Sequence, residues 1–163
     1  MIFITFDTLA SPAESLGARQ PRPETRRLWS ALFPHYHGRI VVIADGIPRD
    51  GINGEEILKE WLKREGFKAT SVDISSEKSS EVVYDRVMAL ASVFGKPHWF
   101  IDTNPESIAK VARYGIPTLL MTIPHTIRPE WDKGREIKGW DTLVEEINKQ
   151  EMAKKERSWG DIE

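Results

Sequence analysis

The sequence contains no cysteine, and that single absence removes disulfides, thiolate metal sites and a cysteine nucleophile together. It also lacks any apolar run approaching the roughly 20 residues a membrane span needs. The apolar start, Met1 to Phe6, is too short for a signal peptide and runs straight into Asp7. A strong charge of one sign is missing as well. The formal net charge is −2, with basic residues interspersed among acids, so neither a nucleic-acid nor a membrane surface is expected. The four histidines show no HExxH or related metal spacing, and the three glycines between Asp45 and Gly54 form neither a Gly-x-Gly-x-x-Gly nor a Walker pattern. The expectation left standing is a soluble, cytoplasmic protein.

What is present is ordinary globular chemistry. Hydrophobic residues are 40% and charged residues 29% of 163 positions, enough to bury one core and too few positions to suggest two. Residues 1–148 read as a single α/β domain and residues 149–163 as a charged tail that would normally fray.

Along the chain, β-rich apolar runs alternate with helical periodicity. Ile2 to Phe6 reads as a strand buried on both faces, and Ala10 to Pro23, with three prolines and a glycine, reads as loop. Pro23 opens a helix carrying Leu28, Trp29, Leu32 and Phe33 up to Pro34, and Arg39 to Ala44 is a strand that stops at Asp45-Gly46. Asn53 caps a helix through Ile57, Leu58, Trp61 and Leu62 to Gly66; Phe67 to Val72 is a third strand, stopping at Asp73. Ser79 or Ser80 caps a helix that Gly95 closes, and His98 to Ile101 is a strand ending in Asp102. Asn104-Pro105-Glu106 starts a helix that stops at Gly115, Pro117 to Ile123 is a fifth strand, and Asp141 caps a last helix through Leu143, Val144 and Ile147. Strict alternation of strand and helix predicts βαβ units and a parallel sheet.

In such a sheet the carboxyl ends of the strands share one edge, where ligands bind at the point of reversal in strand order. Asp7, Asp45, Asp73 and Asp102 all fall at such ends. Converging carboxylates suit Mg²⁺ and, through it, a phosphate. Each taken singly is equally a common turn or cap residue after a strand.

Several segments resemble the haloacid dehalogenase (HAD) superfamily in its small form without a large cap. Trp99-Phe100-Ile101-Asp102-Thr103-Asn104-Pro105-Glu106, followed by Gly115-Ile116-Pro117-Thr118, is similar to that family's fourth motif. Phe6-Asp7-Thr8-Leu9 resembles the first motif, and Arg22-Pro23-Glu24 leading to the strand at Arg39 resembles the approach to the second. The late loop, Arg128 to Asp132 with Trp140-Asp141, is similar to small HAD-like proteins of bacteriophages. The resemblance implies a three-layer Rossmann-like domain with a five-stranded parallel sheet and helices on both faces. For chemistry it implies a Mg²⁺-dependent phosphomonoesterase, with Asp7 catalytic, Asp7 and Asp102 at the metal, and Arg86 or Lys78 on the phosphate. It also implies a host-cytoplasmic or virion location if the source is a phage.

The family's motifs are incomplete here. Its phosphatases place two aspartates two residues apart after the first strand, a nucleophile and a general acid/base. If Asp7 is the nucleophile, Leu9 occupies the acid/base position; if Asp7 is the acid/base, Thr5 occupies the nucleophile position. The string resembles Asp-Gly-Thr-Leu with its glycine lost, which favours the second register. Ala44 stands where a phosphate-binding Ser or Thr is usual, and the neighbouring Asp45 would repel phosphate. The lysine of the third motif falls by spacing on Arg86 or Lys78, with Lys96 too close to the fourth strand, and Asp102-Thr103 replaces the usual paired acids, with Glu106 a step on.

Two readings follow. One is a weak Mg²⁺-dependent phosphatase or nucleotidase acting on a phosphorylated small molecule or nucleotide. The other is a catalytically inactive HAD-like binding or structural module, such as a phage accessory or virion protein. Trp29, Trp61 and Trp99 sit on expected core faces, whereas Trp131, Trp140 and Trp159 lie late in the chain and point to a protein partner through the C-terminal region. His35 and His37 read as exposed, and His125, after the fifth strand, is placed to reach the ligand edge. The only room for a cap is Ala10 to Arg22 or Asp45 to Asn53, both small.

Overall fold

The computed structural model describes residues 1–48 and 53–122, together with Glu145, Asn148, Lys149 and Met152. Five strands, β1 (Ile2–Thr5), β2 (Ile40–Ala44), β3 (Ser71–Ile74), β4 (Trp99–Asp102) and β5 (Thr118–Leu120), form one all-parallel sheet in the order β3-β2-β1-β4-β5. Between them run α1 (Phe6–Leu9), α2 (Pro23–His35), α3 (Gly54–Arg64), α4 (Ser80–Phe94) and α5 (Pro105–Ala112). The expected α/β, three-layer Rossmann-like architecture is what the chain adopts.

Alternation along the central strands explains the layering, because successive side chains point to opposite faces. Ile2, Ile4, Ile40, Val42 and Ile101 pack on one face with Trp29 of α2 and Leu58, Trp61 and Leu62 of α3. Phe3, Val41, Ile43 and Phe100 pack on the other with Val83, Val87 and Leu90 of α4 and Ile108 and Val111 of α5. Central strands covered on both faces are why β1 and β2 read as unbroken apolar runs rather than alternating ones.

Helix termini follow the sequence signals. Ser79 accepts from Val82 N at 3.1 Å and Asn104 from Glu106 N at 3.0 Å, so both side chains satisfy a free N–H of the first turn. Asn53 stands at the N-cap of α3 without a side-chain cap bond.

Three expectations are corrected. The third strand starts at Ser71 instead of Phe67, and Asp73 lies inside it; Phe67 is buried, its ring 5.1 Å from Trp29 and 5.8 Å from Trp61, so packing takes it out of the ladder. Helix α2 runs through Pro34 to His35, since a proline in the last turn forfeits a single bond to the preceding turn. The segment after Leu9 is no open loop: Ala10 and Pro21 form an antiparallel bridge, Ser11 N donates to Gln20 O at 2.8 Å, and a 3₁₀ turn covers Leu16–Ala18. The fifth strand is observed over Thr118–Leu120, and Ile123 lies outside the described residues. So do Asp141, Leu143, Val144 and Ile147 of the expected last helix; Glu145 and Asn148 are described and helical, as are Lys149 and Met152 of the segment expected to be a fraying tail. Among the described residues no helix is long and apolar enough to cross a membrane.

Candidate functional site

The strand order reverses between β1 and β4, so the crevice rule places a ligand above their carboxyl ends. A cleft of about 810 Å³ opens there, walled by the Ser11–Gln20 strap on one side and by residues just after β2 on the other. Its charged lining comprises Asp7, Glu14, Asp45, Arg19, Arg22 and Lys78.

Asp7 is set by α1. The chain leaves β1 at Thr5 and turns once; Phe6 and Leu9 face the core, which leaves the Asp7 carboxylate turned to the cleft with 27% of its side chain exposed. Two cations hold it. Arg19 Nη2 donates to Oδ1 at 2.7 Å and Lys78 Nζ to Oδ2 at 2.8 Å. Burial alone would raise the Asp7 carboxyl, but the hydrogen bonds and charges of Lys78 and Arg19 outweigh it and hold the group below its ordinary value.

Arg19 is anchored on every side. Its guanidinium lies 4.7 Å from the Phe6 ring centroid, Nε donates to Ser11 O at 2.8 Å and Nη2 to Ala10 O at 3.0 Å, and its own carbonyl accepts from Trp61 Nε1 at 2.8 Å. Arg22, one turn of chain later, is half-buried, and its Nε donates to Asp7 O at 3.2 Å. Burial and then the repulsion of Arg19 lower its pKa from the ordinary value.

Lys78 arrives from the loop between β3 and α4. That loop is stitched to the one after β2 by Ser75 N to Ala44 O (2.8 Å), Gly46 N to Glu77 O (3.0 Å) and Ile47 N to Ser75 O (2.9 Å). The lysine stem lies directly over Gly46, whose φ is +68°; a Cβ there would stand 2.9 Å from Lys78 Cβ. Glycine is thus needed twice, for the left-handed backbone and for the space. Asp45 beside it has its carboxyl raised, first by burial and then by the charge of Asp7.

A second polar cluster lies beneath the same edge. Thr5 and Asp102 are cross-strand neighbours, one step beyond the Ile4–Ile101 pair, and both fall on the α4/α5 face by strand parity. Thr5 Oγ1 donates to Asp102 Oδ1 at 2.7 Å, Thr103 N donates to the same oxygen at 2.7 Å, and the Thr8 hydroxyl lies 2.7 Å from Thr5 Oγ1. With its single proton on Asp102, Thr5 accepts from Thr8. Asp102 is only 3% exposed, and burial pushes its carboxyl up to about 6 against the lowering effect of Thr5, the Thr103 and Asn104 amides and Ser107. Ser107 is near enough to act on that charge, yet its buried Oγ completes no hydrogen bond of normal geometry.

Of the residues singled out in the sequence, Asp7 and Lys78 come together at the cleft. Asp102 does not line it and is engaged by Thr5 and Thr103. Arg86 goes elsewhere: its Nε donates to Asp73 Oδ2 at 2.6 Å and its Nη2 to Oδ1, a two-pronged pair between α4 and edge strand β3 that occupies both residues away from the cleft. Asp45 lines the cleft, and Leu9, which the resemblance put at an acid/base position in one register, is fully buried in the core. His35 and His37 are exposed, as expected. His125, Trp131, Trp140, Trp159 and the tail's proposed partner surface lie outside the described residues. Arg19 and Arg22 carry the site's electrostatics and were not found by sequence reasoning; the one available signal was two arginines placed just before a proline-started helix.

Among the described residues, no group of three or more His, Asp or Glu side chains converges as a metal-ligand set. No protein-family model matches the chain, and no curated protein matches it significantly.

Proposed function

We propose that the chain is a binding module on a phosphohydrolase-like scaffold, holding a phosphorylated small molecule or nucleotide above β1 and β4 without turning it over. Arg22 carries this reading. It faces the cleft half-buried beside a like charge, and among the described residues its two NH₂ groups make no hydrogen bond, although guanidinium donors so placed normally engage a carboxylate or phosphate. Lys78, with 64% of its side chain exposed, is free to swing from Asp7 onto the same anion. A cleft of about 810 Å³ is in the usual range for small-molecule sites.

Turnover is disfavoured by what stands at the reacting positions. In the register that makes Asp7 the acid/base, the nucleophile position is Thr5, which is 2% exposed and does not line the cleft. Loss of a nucleophile costs orders of magnitude in rate. The hydrolase reading keeps one observation in its favour, the meeting of Asp7 and Lys78 at the cleft floor.

Calorimetric titration with inorganic phosphate and a nucleoside monophosphate tests the proposal. Binding by the wild type, weakened at least tenfold in Arg22→Met, is expected; equal affinities, or no binding at all, would refute it. Hydrolysis of an aryl phosphate, assayed alongside, separates the readings: turnover that Asp7→Asn abolishes would establish the enzyme.

A further inference from the structure

We infer that Arg19 is the resident counter-cation of this edge, a positive charge built into the chain where a divalent ion would otherwise sit, so that anion binding in the cleft needs no metal. The inference rests on the cleft being an anion site, and four observations lead to it.

First, both oxygens of Asp7 are already engaged, Oδ1 by Arg19 at 2.7 Å and Oδ2 by Lys78 at 2.8 Å. A Mg²⁺ ion needs carboxylate oxygen at about 2.0–2.1 Å in near-octahedral geometry. It would have to displace one of these cations or share an oxygen with it, and in either case sit against neighbouring positive charge.

Second, Arg19 is not a side chain that steps aside. Only 13% of it is exposed, against 64% for Lys78. The Phe6 ring, the Ser11 and Ala10 carbonyls and the Trp61 bond to its own carbonyl all hold it in place. Among the described residues Lys78 makes one salt bridge, to Asp7, and its charge also acts on Asp45.

Third, the other carboxylate a metal would share, Asp102, is 3% exposed, is turned by strand parity toward the α4/α5 layer, and does not line the cleft. Its Oδ1 is bound by Thr5 and by the Thr103 amide.

Fourth, no alternative three-ligand set exists among the described residues. A guanidinium is always charged and needs no loading. The division of labour follows from the anchoring: Arg19 stays on Asp7 and keeps its charge masked, while Lys78 transfers to the incoming anion. Arg19 is in this sense a positioning and charge-masking residue for the ligand rather than its direct contact.

The test uses the full chain, Mn²⁺ alone as a spectroscopic probe, and inorganic phosphate as ligand. In an electron paramagnetic resonance titration, the signal of free Mn²⁺ is expected to be undiminished by equimolar wild-type protein. Phosphate affinity is expected to agree within twofold in EDTA and in Mg²⁺. Arg19→Ala should bind phosphate at least tenfold more weakly in EDTA, with recovery in Arg19→Lys. Stoichiometric uptake of Mn²⁺ by the wild type that Asp7→Asn abolishes would overturn the inference, as would a wild-type affinity that collapses in EDTA and returns with Mg²⁺. Arg19→Ala binding phosphate as well as the wild type in EDTA would overturn it too. Should Arg19→Ala not fold, the wild-type Mn²⁺ and EDTA measurements decide alone. Absence of phosphate binding under every condition would instead sink the anion-site reading, while the Mn²⁺ titration still reports on the metal.

Discussion

Replacing Asp102 with asparagine should change how stability depends on pH, and the sign and size follow from where the carboxyl sits. Burial raises its pKa from the ordinary 3.8 to about 6 in the folded chain. An acid whose folded pKa exceeds its unfolded one binds protons more readily when folded. Stability from this group is therefore fully present below the unfolded value and is lost as pH rises through the folded value. At about 1.4 kcal/mol per unit, a shift of roughly two units corresponds to about 3 kcal/mol, lost between about pH 4 and pH 6. Asp7 slopes the other way, since its folded pKa is lowered: its contribution is present above the unfolded value and lost on acidification. The difference between wild type and Asp102→Asn cancels that background. Asparagine keeps an acceptor for Thr5 and Thr103, while its NH₂ group meets the neighbouring Asn104 amide, a cost of roughly 1–3 kcal/mol that does not vary with pH. Urea unfolding followed by tryptophan fluorescence at intervals from pH 4 to 7 gives both stability curves. Wild type minus variant should fall by about 3 kcal/mol across that range and then level off. A difference that stays flat within about 0.5 kcal/mol, or that rises with pH, would refute the reasoning.

Three other substitutions probe the scaffold around the cleft. Gly46→Ala should lower stability by about 1–2 kcal/mol through the left-handed backbone and push the Lys78 stem off its track, weakening phosphate binding; chemical denaturation and calorimetry read the two effects separately. Trp61→Phe keeps an aromatic ring against Phe6 and Phe67 but removes the donor to Arg19 O, so a loss of roughly 1–3 kcal/mol should come with faster amide exchange at Arg19 and Gln20. Ser79→Ala removes the cap on Val82 N and should lower the urea midpoint by an amount worth about 1 kcal/mol, with the denaturant slope unchanged.

Much of the fold was legible because its signals are local. Apolar runs of strand length, helix-period stripes and caps such as Ser79 and Asn104 state their roles within a few residues. Failures occurred where packing overrode local pattern. Phe67 has the residue type of a strand, yet its ring is worth more between Trp29 and Trp61; the strap after Leu9 is rich in proline, yet Arg19 and the Ser11–Gln20 bond give it fixed shape.

At the candidate site the division is sharper. The sequence by itself determined that Asp7, Asp45 and Asp102 stand at or just beyond the carboxyl ends of strands that share one edge. Only the tertiary structure decided which charges meet. Asp73 is claimed by Arg86, Asp102 by Thr5, and Asp7 by Arg19 and Lys78, partners 12 and 71 positions away in the chain. The physical reason is that an ion pair depends on distance in space, through strand order, side-chain parity and the paths of loops, none of which is encoded in the spacing around any one aspartate.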